Sequence, residues 1–226
     1  MRTIFVSNEM PLSTRRLMSK YGNVVELPSH PGLPDAISSH PDAIISNIHD
    51  ECFALKGYDF IKTYTNDVVF TEENPSVVYP NDTLVNCFCI DNMLFSGKSI
   101  SRTISEFAEN NGMIHIKVNQ GYTKCSTLVF KQSIITSDPG IKKVAEVKGI
   151  KTLLIKPGYI GIKEYEYGFI GGACCSIDND VVFFGNIKEH PDYSEIVSFL
   201  SEEGADIVCD DSYPLFDFGG IFEIDN

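Results

Sequence analysis

The strongest constraint on this chain is a short pattern that returns along it. Ile90-Asp91-Asn92-Met93-Leu94-Phe95 matches Ile177-Asp178-Asn179-Asp180-Val181-Val182, and Phe130-Lys131-Gln132-Ser133-Ile134-Ile135 lies between them. In the clearest copies an apolar strand end meets a polar turn and a second apolar run, the signature of two short strands joined tightly. Successive copies are spaced by 40 and 47 residues. After each copy the pattern changes to helical and then back to strand-like. This predicts helices over 100–110, 141–147 and 193–202, and strands over 113–118, 151–155 and 206–209. A glycine stands just past each helix, at Gly112, Gly149 and Gly204, where a left-handed C-cap is wanted.

The unit is therefore strand, turn, strand, helix, strand, and the 226 residues hold about five of them. At the N-terminus a strand over 3–6, a helix over 12–20 ending at Gly22 and a strand over 24–27 supply part of one unit, before a Pro-rich turn over 28–34. Residues 84–95 read as two strands about the Asp91-Asn92 turn. Residues 215–224 read as a last strand that completes the first unit and closes the ring. WD-type propellers share the period but lack the helices. The expected fold is α/β, a propeller of about five strand-strand-helix-strand units with pseudo-fivefold symmetry, over one domain spanning 1–226.

Charge narrows the partners. Eighteen Lys and Arg stand against 31 Asp and Glu, a formal net charge of −13 that repels phosphate backbones and anionic lipid. Nucleic-acid and membrane partners are therefore not expected; a small polar, especially cationic, molecule is, with oligomeric state left open. No apolar run approaches the length of about 18 residues that spans a bilayer. The start Met1-Arg2-Thr3-Ile4-Phe5-Val6-Ser7 reads as a strand, not an export signal. The odd set of seven Cys then reads as reduced thiols in a cytoplasmic protein. No phosphate-binding glycine fingerprint precedes a helix, so no nucleotide or other cofactor is expected.

Several segments together resemble a known family. They are Ser39-His40-Pro41-Asp42, Tyr79-Pro80-Asn81-Asp82, Gln120-Gly121-Tyr122-Thr123-Lys124-Cys125-Ser126 and Ile135-Thr136-Ser137-Asp138. Tyr167-Gly168-Phe169-Ile170-Gly171-Gly172, His190-Pro191-Asp192-Tyr193 and Asp217-Phe218-Gly219-Gly220 complete the set. The chain resembles an uncharacterised bacterial family assigned to the guanidine-modifying enzyme, or pentein, fold. More distantly it is similar to arginine deiminases, amidinotransferases and dimethylarginine hydrolases. The resemblance implies a Cys nucleophile, a proton-shuttling His and paired carboxylates for guanidinium nitrogens, all converging on the ring axis.

Cys125, with Lys124 beside it to favour the thiolate, is the candidate nucleophile. Its other reading is a small buried residue at a strand entrance. Gly171-Gly172-Ala173-Cys174-Cys175 resembles the Gly-Gly-x-His-Cys segment around the pentein nucleophile, making Cys175 the alternative, with Cys174 where the His belongs. Aligned repeats place Cys87, Thr127 and Cys174 at equivalent positions, but the spacings are not those of a structural zinc site, so no metal is expected.

His40 and His190 both precede Pro-Asp. The second copy reads as the start of the helix at Tyr193, capped by Asp192. The first precedes a strand-like run that needs no cap, leaving His40 with Asp42 as the general acid/base candidate. Asp82, at the start of a strand, resembles the guanidinium-binding segment of penteins, with Asn81 where an Arg is usual; Asp217 offers a second carboxylate. Both also read as turn-capping residues. The repeat register sets Asp82, Tyr122 and Phe169 around one rim, and Gly171 and Gly172 allow backbone to approach closely. Two functions fit: a Cys-dependent hydrolase or transferase acting on a guanidine or amidine, or a non-catalytic pentein that binds a ligand or protein.

Overall fold

The computed structural model describes residues 2–225. The chain begins with β1 (Arg2–Ser7), α1 (Leu12–Met18) and β2 (Asn23–Leu27), then one helical turn α2 (Pro41–Ile44) leads into β3 (Ile45–Ile48), β4 (Glu51–Ala54) and β5 (Val68–Phe70). The next group is β6 (Cys87–Ile90), β7 (Met93–Gly97), α3 (Arg102–Asn110) and β8 (Ile114–Val118). It is followed by β9 (Thr127–Phe130), β10 (Ser133–Thr136), α4 (Pro139–Val147) and β11 (Lys151–Leu154). Last come β12 (Cys174–Ile177), β13 (Asp180–Phe183), α5 (Tyr193–Glu202), β14 (Asp206–Cys209) and β15 (Phe222–Asp225).

These strands form five three-stranded sheets of one design: an inner strand antiparallel to a middle strand, which is parallel to an outer strand. The parallel step needs a crossover, and a helix supplies it in four sheets. In the β3–β4–β5 sheet a 3-10 turn over Asp59–Thr63 does so instead. Ring closure comes from the chain's end, because β15 pairs antiparallel with β1, Phe222 opposite Phe5. The expected α/β propeller with five units is the observed fold.

Local chemistry explains the repetition. The first residue of the hairpin turn is left-handed at Asp91, Lys131 and Asp178, with φ of 49°, 50° and 53°. His49, at φ 53°, turns the β3–β4 hairpin in the same way, a fourth copy that the residue pattern hides. After α3, α4 and α5 the N–H groups of Met113, Ile150 and Ala205 reach back to the carbonyls of Ala108, Ala145 and Leu200 at 2.9–3.0 Å. This six-to-one closure requires a left-handed residue between, and Gly112, Gly149 and Gly204 occupy that place. Ser101 and Asp138 cap α3 and α4 by accepting from the N–H groups of Thr103 and Ile141.

Three expectations change. The last strand is confined to Phe222–Asp225 because Gly219 and Gly220, at φ 75° and 67°, bend the chain before it. Residues 215–220 become an irregular segment whose backbone bonds to Gly161, Gly172 and Asp42. His40 precedes a turn of helix, not a strand, since Pro41 presets helical φ at the first position. Asp192 stands at the N-cap position of α5 but makes no capping bond; its carboxylate accepts from Lys156 N–H at 2.6 Å.

Candidate functional site

Asp217 is the centre of the arrangement. It is fully buried, carried in by the bent segment before β15. Its Oδ2 accepts the Phe169 N–H at 2.8 Å and the Cys125 thiol at 3.2 Å, while Oδ1 accepts the Gly219 N–H at 2.9 Å. Three donors satisfy much of what a buried carboxylate demands. Glycines make the space: a Cβ on Gly172 would overlap Asp217 Oδ1, and one on Gly219 would overlap the Cβ of His40. Gly171 packs as tightly, against the backbone carbonyls of Lys124 and Thr127.

His40 is buried beside this carboxylate, its Nδ1 3.8 Å from Asp217 Oδ1 and without a hydrogen-bond partner. Burial lowers its pKa, partly countered by Asp217, so the ring is neutral at rest. Asp42 is held by its own N–H, which donates to Gly219 O at 3.0 Å. Its carboxyl meets the Cys125 thiol, and burial together with the nearby Asp217 raises its pKa to about 7.

Cys125 thus lies between two carboxylates, and burial, Asp217 and Asp42 push its thiol well above the ordinary value. Lys124 is not the neighbour that adjacency suggests. Consecutive residues diverge: Cys125 opens on one cavity and Lys124 lines another. The fork is made by Asn86, a residue the sequence reading passed over. Its Oδ1 accepts the N–H groups of both Lys124 and Cys125, at 2.7 and 3.2 Å, and its Nδ2 donates to Asp42 O at 3.0 Å. The signal for it was only a polar residue one place before an inner strand.

The Cys125 cavity measures about 240 Å³ and is walled by Tyr122, Tyr165, Tyr167 and Phe169, with Glu166 among its lining residues. Asp82 lies in the turn preceding β6, and its Oδ2 accepts the Tyr122 hydroxyl at 2.5 Å. Burial raises the Asp82 pKa, the tyrosine bond opposing it. The rings of Tyr122 and Phe169 stand 6.2 Å apart. The structure therefore brings Asp82, Tyr122, Phe169, Cys125, Asp217, Asp42 and His40 together around one end of the axis.

Cys175 lies elsewhere, buried in β12, its thiol pushed well up chiefly by burial. Cys87 and Cys174 open on a second space, an axial cavity of about 280 Å³ lined from all five inner strands. Among the described residues, no cluster of three or more His, Cys, Asp or Glu is placed to hold a metal. Among them too, no helix is long and apolar enough to cross a membrane.

Residues 5–222 match a family of unknown function, DUF6873. The chain belongs to that family. No curated protein matches it by sequence. In three dimensions it is similar to dimethylarginine dimethylaminohydrolase from Pseudomonas aeruginosa, complexed with citrulline, at a TM-score of 0.59 and 11% identity over 93% of this chain and 92% of that one. It is similar to an amidinotransferase of saxitoxin biosynthesis from Microseira wollei, at 0.55 and 11% identity over 92% and 87%. A C. jejuni agmatine deiminase gives 0.54 and 10% identity over 92% and 86%. At such identities the likeness speaks for the fold alone: this DUF6873 member has the pentein fold.

Proposed function

We propose that this pentein takes up a small guanidine- or amidine-class cation in the aromatic cavity and acts on it through Cys125, as a hydrolase or transferase. The observation that carries the reading is the position of Cys125, bonded to buried Asp217 and flanked by Asp42, at a cavity walled by four aromatic rings. Aromatic faces attract a cation, more strongly where water is excluded. A planar cation at Cys125 also offsets the charge of Asp217 and Asp42 that keeps the thiol protonated.

The chemistry follows from that compensation. With the cation bound, the Cys125 proton passes to the carboxylate it already touches, and sulfur attacks the electrophilic carbon. A C–S bond forms as a C–N bond breaks, and the departing amine takes up a proton. Water, or an acceptor amine, then displaces sulfur and restores the thiol. His40 carries protons beside Asp217, and Asp82 holds a nitrogen of the cation at the rim.

Alkylation tests the reading. Chloroacetamidine brings its own cation, whereas iodoacetamide is neutral. Mass spectrometry is expected to find Cys125 modified faster by chloroacetamidine, with protection by guanidine compounds. Modification of Cys125 no faster than that of the half-buried Cys89 and Cys209 sinks the enzyme. A second reading, a non-catalytic binding module, is favoured by the protonated resting thiol and by His40 pairing toward Asp217 instead of sulfur. Saturable guanidinium binding by calorimetry without selective Cys125 alkylation would select it.

A further inference from the structure

The axial cavity shares Asp42 with the arrangement around Cys125 and is otherwise used by nothing described above. Its lining includes Asp42, Lys124 and Ser46, and Asn47, Ser176 and Glu223 stand among its more exposed residues. Two polar atoms of its lining residues lack an N–H or O–H partner. Asp42 Oδ2 and Ser46 Oγ are buried in residues each 7% exposed, with only thiols, those of Cys125 and Cys87, as hydrogen-bonding neighbours of the two side chains. Buried polar groups are nearly always satisfied, and leaving them bare is costly, so two orphans in one cavity point to an occupant that donates.

Lys124 supplies the opposite demand. Its charge is felt at Asp42 and at Cys174 and Cys175, yet among the described residues no ion pair closes on it. A carboxylate and an ammonium thus face the same space without meeting. A simple anion here is opposed by Asp42 and by Glu223, which is itself paired with Arg2. A simple cation is opposed by Lys124. A molecule carrying both charges satisfies both ends. The volume of about 280 Å³ admits up to roughly ten non-hydrogen atoms at about 30 Å³ per water-sized group.

We propose that the axial cavity is a second binding site, built for a small zwitterion of the α-amino-acid class. Its ammonium donates to Asp42 Oδ2 and Ser46 Oγ, and its carboxylate pairs with Lys124 Nζ. The site is separate from the aromatic cavity, whose lining includes Cys125 and none of these three residues.

Calorimetry on the full chain tests this with glycine, alanine and glutamate, against acetate and methylamine as single-charge controls. At least one zwitterion is expected to bind saturably, ten-fold or more tighter than either control. Lys124→Met is expected to weaken it at least ten-fold, and Lys124→Arg to restore most of the loss. Tyr167→Ala, in the other cavity, is expected to change it less than two-fold. Circular dichroism and thermal midpoints confirm that each variant is folded, and Ser46→Ala, which removes only a hydroxyl, gives a second reading on the same pocket. Absence of saturable zwitterion binding overturns the proposal. So does binding that survives Lys124→Met and Ser46→Ala unchanged, or that is lost only with Tyr167→Ala.

Discussion

The tripeptide His-Pro-Asp occurs twice, at 40–42 and 190–192, and the two copies meet opposite fates. At the first, the chain passes beneath Gly219, His40 lies against Asp217, and Asp42 is buried next to a thiol and a second carboxylate. At the second, His190 Nδ1 accepts the Asp192 N–H at 3.1 Å, and Asp192 binds Lys156 through both its N–H and its ammonium. Burial raises one aspartate's pKa to about 7, while the hydrogen bonds and charge of Lys156 outweigh burial and lower the other. One local sequence makes a salt bridge to Lys156 in one blade and a buried histidine–carboxylate cluster in another. The difference lies wholly in what each aspartate faces.

The contrast breaks most completely if the space around Asp217 is filled. Gly172→Ala, whose Cβ would meet Asp217 Oδ1, is expected to lower stability by more than about 3 kcal/mol, as overpacking against a fixed buried group does. A thermal midpoint unchanged from the parent would mean that the carboxylate is not held there.

The next test compares pH profiles. Asp42 binds its proton more tightly folded than unfolded, so its contribution is fully present below the unfolded pKa of 3.8 and is lost as pH rises to about 7. At about 1.4 kcal/mol per unit, the loss is on the order of 4 kcal/mol. Asp42→Asn should flatten that decline, gaining on the parent between pH 4 and 7 in urea titrations. Asp192, with a lowered pKa, behaves oppositely. Its contribution is present above pH 3.8 and fades as pH falls through the lowered folded pKa, so Asp192→Asn should cost more stability at pH 7 than at pH 3. Profiles of the same sign for both variants would erase the distinction.

Smaller effects sharpen it. Tyr122→Phe removes the hydroxyl that bonds Asp82, and chemical denaturation should register about 1–2 kcal/mol, the usual cost of leaving a buried acceptor bare. The least effect is expected from His190→Asn, about 1 kcal/mol for one hydrogen bond, with Cys125 alkylation rates unchanged. His40→Asn should alter those rates if its imidazole carries protons at Asp217.

How much of this was legible beforehand depends on the range of the forces involved. The hairpin turns at Asp91, Lys131 and Asp178 and the helix ends at Gly112, Gly149 and Gly204 declare themselves because each depends on a few neighbouring residues. His49 escaped because its His-Asp turn lacks the Asp-Asn pair of the turns at Asp91 and Asp178, and its unit has only a 3-10 turn where the Lys131 unit has a capped helix. Lys124 was misleading for a related reason: adjacency along the chain says nothing about which side of a tight loop each side chain leaves, and Asn86 decides that from 38 residues away.

The sequence by itself determined three units in register and, through length and the closing strand, the expectation of about five, since turn chemistry, helix caps and the alternation of strand and helix are short-range properties repeated at a readable period. Only the tertiary structure decided which histidine faces a carboxylate, which aspartate is starved of solvent, and that Cys125 and Lys124 serve different cavities. Those outcomes depend on groups brought together across the axis when β15 closes on β1. Desolvation and close packing exist only after that closure, and no local pattern encodes them.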